Sequence, residues 1–526
     1  MRQCFAYCSL YPKDEEIEKN ELIQLWMAHG YLDCSAENQL MEDTGNQFVN
    51  LFLKKSLFQD AKIDVFGNIH RFKIHDLIHD LAMQVAGNDC RYLDSETKRL
   101  VGSPVHVMLK SDSIGLLESL DASKLRTLIF LTNISENWNE KEVFVILKFK
   151  YLRFLKISCC SLSKVCESIG KLKHLRYLNL WRCRDLGSIS KSISNFVCLQ
   201  TLILRQCNEV KFYEKGGSKL INLRYLDVKF LKATEEKKLT SGIGRLGVWW
   251  WNKGVIFVNW FSLLTNIVII SLHQCRGLQY LPPLERLPFL KLIHLNSLDE
   301  LEYIYYEDLL LPEIFFPSLE RLLLCKCKKL RGWWRMGDDV NDNDTDNSSK
   351  SHNLYVPSFP PCFSYLSIND CEMLTCMPNF PNLDKALTLI DCNLETLEAT
   401  INMVGSKCLI ESTPFSMLKY LILDGVQLDV KKYPQNWVQN LTSLEHLVFM
   451  KLPSQTFQEI EIWFKNDLNY LPSLQKIEVS YCSDLKSLPD WICNLSSLQH
   501  ITKTVKFGFA VQNNVSSSQL TGPGNH

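Results

Sequence analysis

Two histidines four residues apart, His75 and His79, have the spacing in this sequence that most suggests chemistry. Residues i and i+4 share one face of a helix, and two imidazoles placed in this way can bind zinc. Zinc proteases with this spacing carry a glutamate after the first histidine as the general base. Here the following residue is Asp76, whose side chain is one methylene shorter. The sequence offers no evident third ligand, so the pair is a weak metal motif.

A structural alternative explains the same segment. Phe72 and Ile74 would end a short strand, and a polar residue would cap the helix that follows. Leu77, Leu81 and Val85 lie four residues apart and would form the buried stripe of that helix. The pattern favours this alternative and leaves zinc as the second one.

Phosphate binding has a candidate motif in the G-x-G-x-x-G of residues 242–247. A dinucleotide-binding turn requires a strand before it, a helix after it and an acidic residue about 20 positions further on. This segment instead follows TEEKKLTS and runs into three tryptophans, and it resembles S-I-G-K-L at residues 168–172. We therefore interpret it as the back half of a repeated unit. The sequence contains neither a Walker A motif nor a nucleophile elbow.

The positions of leucine indicate that repeated unit. A phrase of the form L-x-x-L-x-L-x-x-C begins at residues 152, 175, 199, 267, 319, 363 and 474, and looser copies begin at 125, 223, 290, 384, 418, 444 and 498. The starts at 152, 175, 199 and 223 are 23 or 24 residues apart, within the period of leucine-rich repeats. The L-x-L core is then a short strand with its leucines turned inward, and the units must stack because none can bury its apolar face alone.

Cysteine occupies the ninth position of seven phrases, from Cys160 to Cys482. A small residue is needed where the chain turns away from the strand, and a thiol can serve there as a small buried hydrophobe. Metal sites and disulfides would require paired spacings such as C-x-x-C. The cysteines are therefore predicted to be a structural ladder of free thiols, which indicates a reducing compartment.

Composition excludes several other functions. The 58 basic residues balance the 58 acidic ones, so nothing global indicates a nucleic-acid partner or an anionic membrane. The most apolar stretch, Val255–Leu272, is interrupted by asparagines, serines and a threonine, which favours a buried repeat strand over a membrane span. A cytoplasmic protein without a membrane span is expected.

The first 90 residues are not repeats, and three phrases in them resemble the winged-helix part of plant nucleotide-binding leucine-rich-repeat (NB-ARC LRR) disease resistance proteins of the coiled-coil type. These phrases are CFAYCSLYPKD at residues 4–14, ELIQLWMAHGYL at 21–32 and FKIHDLIHDLA at 72–82. With the repeats that follow, the resemblance covers essentially the whole chain. It implies an intracellular receptor of plant innate immunity that acts by recognition and autoinhibition and is not an enzyme.

The resemblance also implies a cofactor and partners. In this family the histidine of a Met-His-Asp triplet contacts the phosphate of ADP, and the matching residues here are His75 and Asp76, preceded by isoleucine. The phosphate-binding loop would lie upstream of residue 1. No cofactor is therefore expected for this chain alone, although ADP or ATP is implied for a full-length member. The implied partners are the nucleotide-binding domain, within the same receptor, and a pathogen effector or a guarded host protein.

The expected fold class is an α/β solenoid, a leucine-rich-repeat horseshoe with a parallel concave sheet, preceded by a small, mostly helical winged-helix domain. The boundaries are 1–95 for the winged-helix part, 96–120 for a linker, 121–503 for irregular repeats with an acidic insertion at 338–353, and 504–526 for a disordered tail. Three alternatives remain: an extracellular repeat ectodomain, a ubiquitin-ligase adaptor with leucine-rich repeats, and a non-functional partial gene product.

A basic and aromatic patch is predicted on the concave face of the first repeats, where side chains flanking the inward leucines project. Its members are Arg153, Lys156, Arg176, Tyr177, Trp181, Arg205, Arg224 and Tyr225. The patch could be a solvated face or a nucleic-acid site, but the chain is not basic overall. An intramolecular protein-binding surface for the nucleotide-binding region is the interpretation that the family resemblance favours.

Overall fold

The computed structural model describes residues 1–32, 39–64, 68–94, 96–97, 102–131, 144–159, 166–186, 189–207, 219–229, 263–275, 278, 281, 284, 287–305, 313–334, 356–401, 413–426, 436–464, 471–482, 484–485, 487–493 and 495–504. The predictions for Cys160, for residues 242–247 and for the acidic insertion lie outside these residues, as does the predicted tail beyond residue 504. The chain forms two compact units, Met1–Cys275 and Arg276–His526.

The first unit opens with a winged-helix module. Its helices are α1 (Arg2–Tyr7), α2 (Lys19–His29), α3 (Met41–Lys54) and α4 (Asp76–Ala86). Three antiparallel strands, β1 (Ile17–Glu18), β2 (Phe58–Ile63) and β3 (Ile69–Ile74), pair in the order β1-β3-β2. The strand ending at Ile74 confirms the sequence interpretation. Phe72 of β3 stacks on Phe58 of β2 with ring centroids 4.3 Å apart, so the hairpin contributes to the module's core.

Parallel strands follow in the same unit. They are β4 (Cys90–Leu93), β5 (His106–Lys110), β6 (Thr127–Leu131), β7 (Phe154–Lys156), β8 (Tyr177–Asn179), β9 (Thr201–Leu204), β10 (Tyr225–Lys229) and β11 (Ile269–His273), with short helices α5 (Cys166–Ile169) and α6 (Ile189–Ile193) behind them. Inward leucines of successive strands pair in register, as Leu178 does with Leu202 and Leu202 with Leu226, and they are almost fully buried. This stacking buries the face that a single repeat cannot bury alone.

The second unit is built in the same way. Its strands are β12 (Leu292–Asn296), β13 (Arg321–Cys325), β14 (Tyr365–Asn369), β15 (Ala386–Ile390), β16 (Tyr420–Asp424), β17 (His446–Met450), β18 (Lys476–Ser480) and β19 (His500–Thr504). Its helices are α7 (Glu398–Ile401), α8 (Asn436–Gln439), α9 (Ser454–Phe464) and α10 (Asp490–Cys493). Adjacent strands are parallel and pair one-to-one along their length. The solenoid expected from the leucine phrase is confirmed within each unit.

The ladder cysteines turn the chain as predicted. The described members, such as Cys207, Cys327 and Cys371, are buried, and each thiol points to the carbonyl two residues earlier at 3.4–3.9 Å. The residue before each one adopts a left-handed backbone, as at Arg182 (φ 56°) and Gln206 (φ 58°). Residues other than glycine rarely adopt this conformation, so the sharp turn is imposed by packing of the repeat. The described cysteines are free thiols.

Two expectations require correction. The sheet begins at Cys90, not at residue 121, and β5 lies within the predicted linker 96–120. The leucine phrase misses this strand because Pro104 stands where the first leucine would be. In α4, Leu77 and Leu81 are 73% and 45% exposed and do not form the buried stripe, since the module packs on the face that carries His79 and Ala82.

No helix in the part of the chain that the structure describes has both the length and the apolar character needed to cross a membrane.

Candidate functional site: the concave face of the first repeats

The winged-helix module covers the concave face of the first repeats. Helix α2 is buried along its length from Leu22 to His29. A helix that is apolar on several faces, as in LIQLWMA, is typically buried. The hydrophobic core of the module continues into strand residues whose side chains project onto the concave face. These are Met108, Ile129, Phe154, Tyr177 and Tyr225. The first repeats and the module therefore share one hydrophobic core.

Two aromatic rings form the centre of the repeat side of this core. Phe154 of β7 and Tyr177 of β8 are register partners, and their rings stack with centroids 3.8 Å apart. Both are at most 1% exposed. Burial raises the pKa of the Tyr177 hydroxyl well above its usual value, and the nearby Glu21 adds to the rise. Tyr177 therefore stays neutral and serves here as an apolar surface.

Two ion pairs join the module to the repeats. Lys156 of β7 contacts both carboxylate oxygens of Glu21, in the first turn of α2, at 2.7 and 2.8 Å. Arg224, the residue before β10, forms a bidentate pair with Glu42, in the first turn of α3, at 2.7 and 2.6 Å. The Arg224 and Glu42 side chains are 9% and 8% exposed. Such paired, charge-assisted hydrogen bonds fix geometry as well as charge.

Two further arginines meet the carboxyl end of α2. Arg153 Nη1 donates to the carbonyl of His29 at 3.2 Å, where a cation complements the negative end of the helix dipole. Gly30 ends α2 in the left-handed conformation with φ 74°, and Arg176 Nη1 would lie 3.8 Å from a Cβ at that position. Glycine therefore supplies the left-handed turn, and the Arg176 guanidinium lies within van der Waals distance of that Cβ position.

The described contacts of the remaining patch residues lie within the repeats. The backbone N–H of Trp181 donates to Asn179 Oδ1 at 3.0 Å, and the Arg182 guanidinium lies 5.3 Å from the centre of the Trp181 ring. Arg205 is close to half exposed, with its Nε 3.8 Å from Asp227 Oδ2. The predicted patch is thus divided into two parts. One part contacts the module, whereas Trp181 and Arg205 make no contact with the module among the described residues.

A buried polar cluster lies beside these arginines. The hydroxyl Oγ1 of Thr127 is 2.9 Å from Tyr7 Oη, 2.7 Å from His29 Nε2 and 2.9 Å from His106 Nδ1. The second ring nitrogen of His106, Nε2, is 3.1 Å from Tyr31 Oη. Tyr7, His29 and Tyr31 belong to the module, while His106 and Thr127 belong to the sheet. The cluster therefore spans the interface.

The two residues that the resemblance assigned to ADP lie elsewhere, at the exposed start of α4. His75 is the N-cap of the helix and its Nδ1 accepts from the Leu77 N–H at 3.3 Å, which confirms the predicted polar cap. Asp76 is in the first turn. A helix N-terminus favours an anion, and since Nδ1 is engaged in the cap, Nε2 is the atom of His75 that could reach a phosphate. His79 Nε2 instead lies 2.7 Å from the carbonyl of Tyr11, and the described residues contain no metal-binding group of three.

Sequence reasoning missed the module's half of the interface. Glu21, Glu42 and His29 carry no sequence signal, because nothing in one sequence tells which residue of the module meets which residue of the repeats. The same holds for His106 and Thr127 in the sheet. A signal did exist on the repeat side. Arginine directly follows the first leucine of four phrases, at Arg126, Arg153, Arg176 and Arg224, and this places them in a column along one edge of the sheet.

Comparisons with known proteins agree with this architecture. Residues 10–82 match the family model of the disease resistance protein winged helix domain. The chain is 26% identical over 423 residues to a Solanum bulbocastanum protein described as disease resistance protein RGA1, an alignment that covers 64% of this chain and 40% of that protein. It is 35% identical over 176 residues to disease resistance protein RGA2 of the same plant, covering 33% of this chain and 15% of that one. The chain thus spans well under two thirds of these relatives.

Among solved structures, the Toll–Spatzle complex, described as a hub in Drosophila development and innate immunity, matches with a TM-score of 0.40. The match has 13% identity and covers 81% of this chain and 49% of that one.

The fold and the interface define a leucine-rich-repeat protein with an N-terminal winged-helix domain. The chain is similar to plant disease resistance proteins, and its residues 10–82 match their winged-helix domain.

Proposed function

We propose that this chain is the sensing and restraining part of a plant intracellular immune receptor. In this role the first repeats hold the winged-helix module in an inactive position, and the later repeats bind the molecule that signals infection. The chain is a cytoplasmic receptor component without catalysis. The observation that carries the proposal is the buried, bidentate pair between Arg224 and Glu42.

A buried ion pair is better suited to holding two parts of a protein in one specific arrangement than to stabilising a permanent hydrophobic core. It contributes little net stability compared with apolar residues of the same volume, but loss of one partner leaves an uncompensated charge that costs about 3–5 kcal/mol. The pair therefore specifies one arrangement of α3 on the repeats and penalises others. Lys156 with Glu21 adds a second, half-buried constraint on α2.

The proposal also assigns partners. In a full-length receptor, the nucleotide-binding domain would carry ADP or ATP, with His75 and Asp76 near the phosphates, and would be restrained through the module. A pathogen effector or a guarded host protein would bind the second unit. The concave face of that unit presents Tyr420 and His446 with ring centroids 4.5 Å apart, a mixed aromatic and polar surface suited to protein recognition.

The restraint can be tested by transient expression in leaf tissue of a receptor in which this chain replaces the matching segment of the RGA1 relative. We expect the unmodified receptor to be silent without a pathogen. Arg224→Glu places two carboxylates together and should release the module, giving cell death without a pathogen. The charge swap that combines Arg224→Glu with Glu42→Arg should be silent again.

Arg205→Glu is the matched control for this experiment. It makes the same change of charge on a neighbouring repeat, but the described ionic partner of Arg205 is Asp227 of the repeats. We expect it to remain silent. Silence of Arg224→Glu at a protein abundance equal to that of the unmodified receptor would contradict the proposal.

A further inference from the structure

Two histidines meet in the interior of the interface between the module and the first repeats. His29 is the last residue of α2, and His106 is the first residue of β5. Their ring centroids are 4.6 Å apart, and both rings contact the same hydroxyl, Thr127 Oγ1. The two side chains come from opposite sides of the interface, so separation of the module from the repeats would separate them.

The two histidine rings are buried, and the charged side chains that act on them are basic. His29 and His106 are 6% and 5% exposed. Cations act on the two rings from three repeats: Arg126 and Arg153 affect both rings, and Arg176 affects His29.

The remaining titratable groups around the cluster are two phenols and the buried thiols of Cys4 and Cys90, whose pKa values burial raises to about 12. Tyr7 comes from α1 and Tyr31 from the segment after α2. Burial raises the pKa of both hydroxyls, and Glu21 and Asp89 add to the rise at Tyr7 and Tyr31 respectively. The hydroxyls therefore remain neutral, and a second proton on either histidine would be added to a site already surrounded by arginines.

We propose that His29, His106 and Thr127 form a pH-sensitive latch, which holds the winged-helix module on the repeats at neutral pH and releases it when the surroundings become mildly acidic. This inference rests on the proposed function, since it adds regulation to the same interface.

The direction of the effect follows from linkage. Burial, and then the neighbouring charges, lower the pKa of His29 well below its usual value and lower the pKa of His106 to about 3. Released from the interface, each histidine would return to a pKa of about 6.5. Docking therefore has its full strength above about pH 6.5 and weakens as the pH falls from there towards the docked pKa. For a single histidine the docking equilibrium would fall about 30-fold between pH 7.5 and pH 5.

Hydrogen–deuterium exchange of the full chain tests the latch. Amides of α2 are followed between pH 7.5 and pH 5, with labelling times scaled to the intrinsic exchange rate at each pH. We expect the protection of α2 to fall at least 30-fold over this range. Strands β16–β18 of the second unit should keep their protection, which separates release of the module from general acid unfolding.

Neutral replacements provide the matched variants. His29→Gln with His106→Gln keeps an amide that can bond to Thr127 but cannot titrate, so the protection of α2 should become nearly independent of pH. His446→Gln, which changes a histidine of the second unit, should leave the pH response of α2 unchanged. The latch is wrong if the exchange protection of α2 in the wild type falls no more than that of β16–β18 between pH 7.5 and pH 5. It is also wrong if the protection of α2 in the double variant falls as much as in the wild type.

A second measurement needs no variant. Exchange of the imidazole carbon-bound hydrogens, followed by mass spectrometry, reports the titration of each histidine in the wild-type chain. Midpoints of His29 and His106 that lie below 6.5 and coincide with the loss of α2 protection would support the latch, and midpoints near 6.5 would overturn it. If α2 is unprotected even at pH 7.5, the proposed function fails as well. If α2 is protected at every pH, the latch alone fails.

Discussion

Arg224 and Glu42 are 182 residues apart in the chain, and their side chains form a bidentate ion pair with N–O distances of 2.7 and 2.6 Å. The pair joins the turn before β10 to the first turn of α3. Both side chains are more than nine-tenths buried, so water cannot replace either partner. The position of α3 on the repeats therefore depends on the identity of two specific residues.

Removal of one partner should loosen the module. Arg224→Ala leaves the Glu42 carboxylate buried without its partner, and we expect the free energy of opening at α3 to fall by about 3–5 kcal/mol. Hydrogen–deuterium exchange of the α3 amides measures this quantity. Arg205→Ala, at an exposed arginine, should change it by at most about 0.5 kcal/mol. Equal effects of the two substitutions would show that the buried pair does not constrain α3.

The repeats could be predicted from sequence in detail because their physics is local. The strand begins two residues after each phrase start, as at Phe154 after 152 and Tyr177 after 175. Even the looser starts at 384 and 444 are followed in this way by β15 and β17. The 44-residue interval from 223 to 267 still brings Tyr225 and Ile269 into register, because pairing depends on the phrase and not on the length between phrases.

The winged-helix module was less predictable because its packing is not local. Leu77 and Leu81 have the spacing of a buried stripe, yet α4 packs through His79 and Ala82, and periodicity alone cannot say which face meets a neighbour. The basic patch was visible in the repeats, but its partners Glu21 and Glu42 were not. Their identity depends on how two distant segments dock.

Thiol reactivity should follow burial. Cys198 is exposed, whereas burial raises the pKa of Cys90, at the interface, to about 12 and that of Cys392 to about 12. With iodoacetamide at pH 8 and native protein, we expect rapid modification of Cys198 and slow modification of the other two, since the thiolate is the reactive form. Mass spectrometry of timed samples provides the rates.

The same samples, denatured and alkylated without reductant, should show nearly all 20 cysteines labelled. Native disulfides among the ladder positions would instead favour the extracellular alternative.

The purified chain should carry no bound nucleotide. The residues assigned to ADP, His75 and Asp76, lie at an exposed helix start, where two side chains and a few backbone N–H groups give weak anion binding. We expect the purified 526-residue chain to release no stoichiometric ADP or ATP when it is denatured and the supernatant is separated by anion-exchange chromatography. An equimolar ADP peak would contradict this expectation.

The docking of the module on the first repeats is the central claim, and zero-length cross-linking tests it most directly. A carbodiimide joins amines to carboxylates that are already in contact, and Lys156 Nζ lies 2.7 Å from Glu21 Oε1. Lys329 and Glu300, 2.7 Å apart within the second unit, are the internal control. We predict that mass spectrometry of the native monomer detects both cross-links and that 8 M urea abolishes both. Recovery of the Lys329–Glu300 cross-link without the Lys156–Glu21 cross-link would contradict the account.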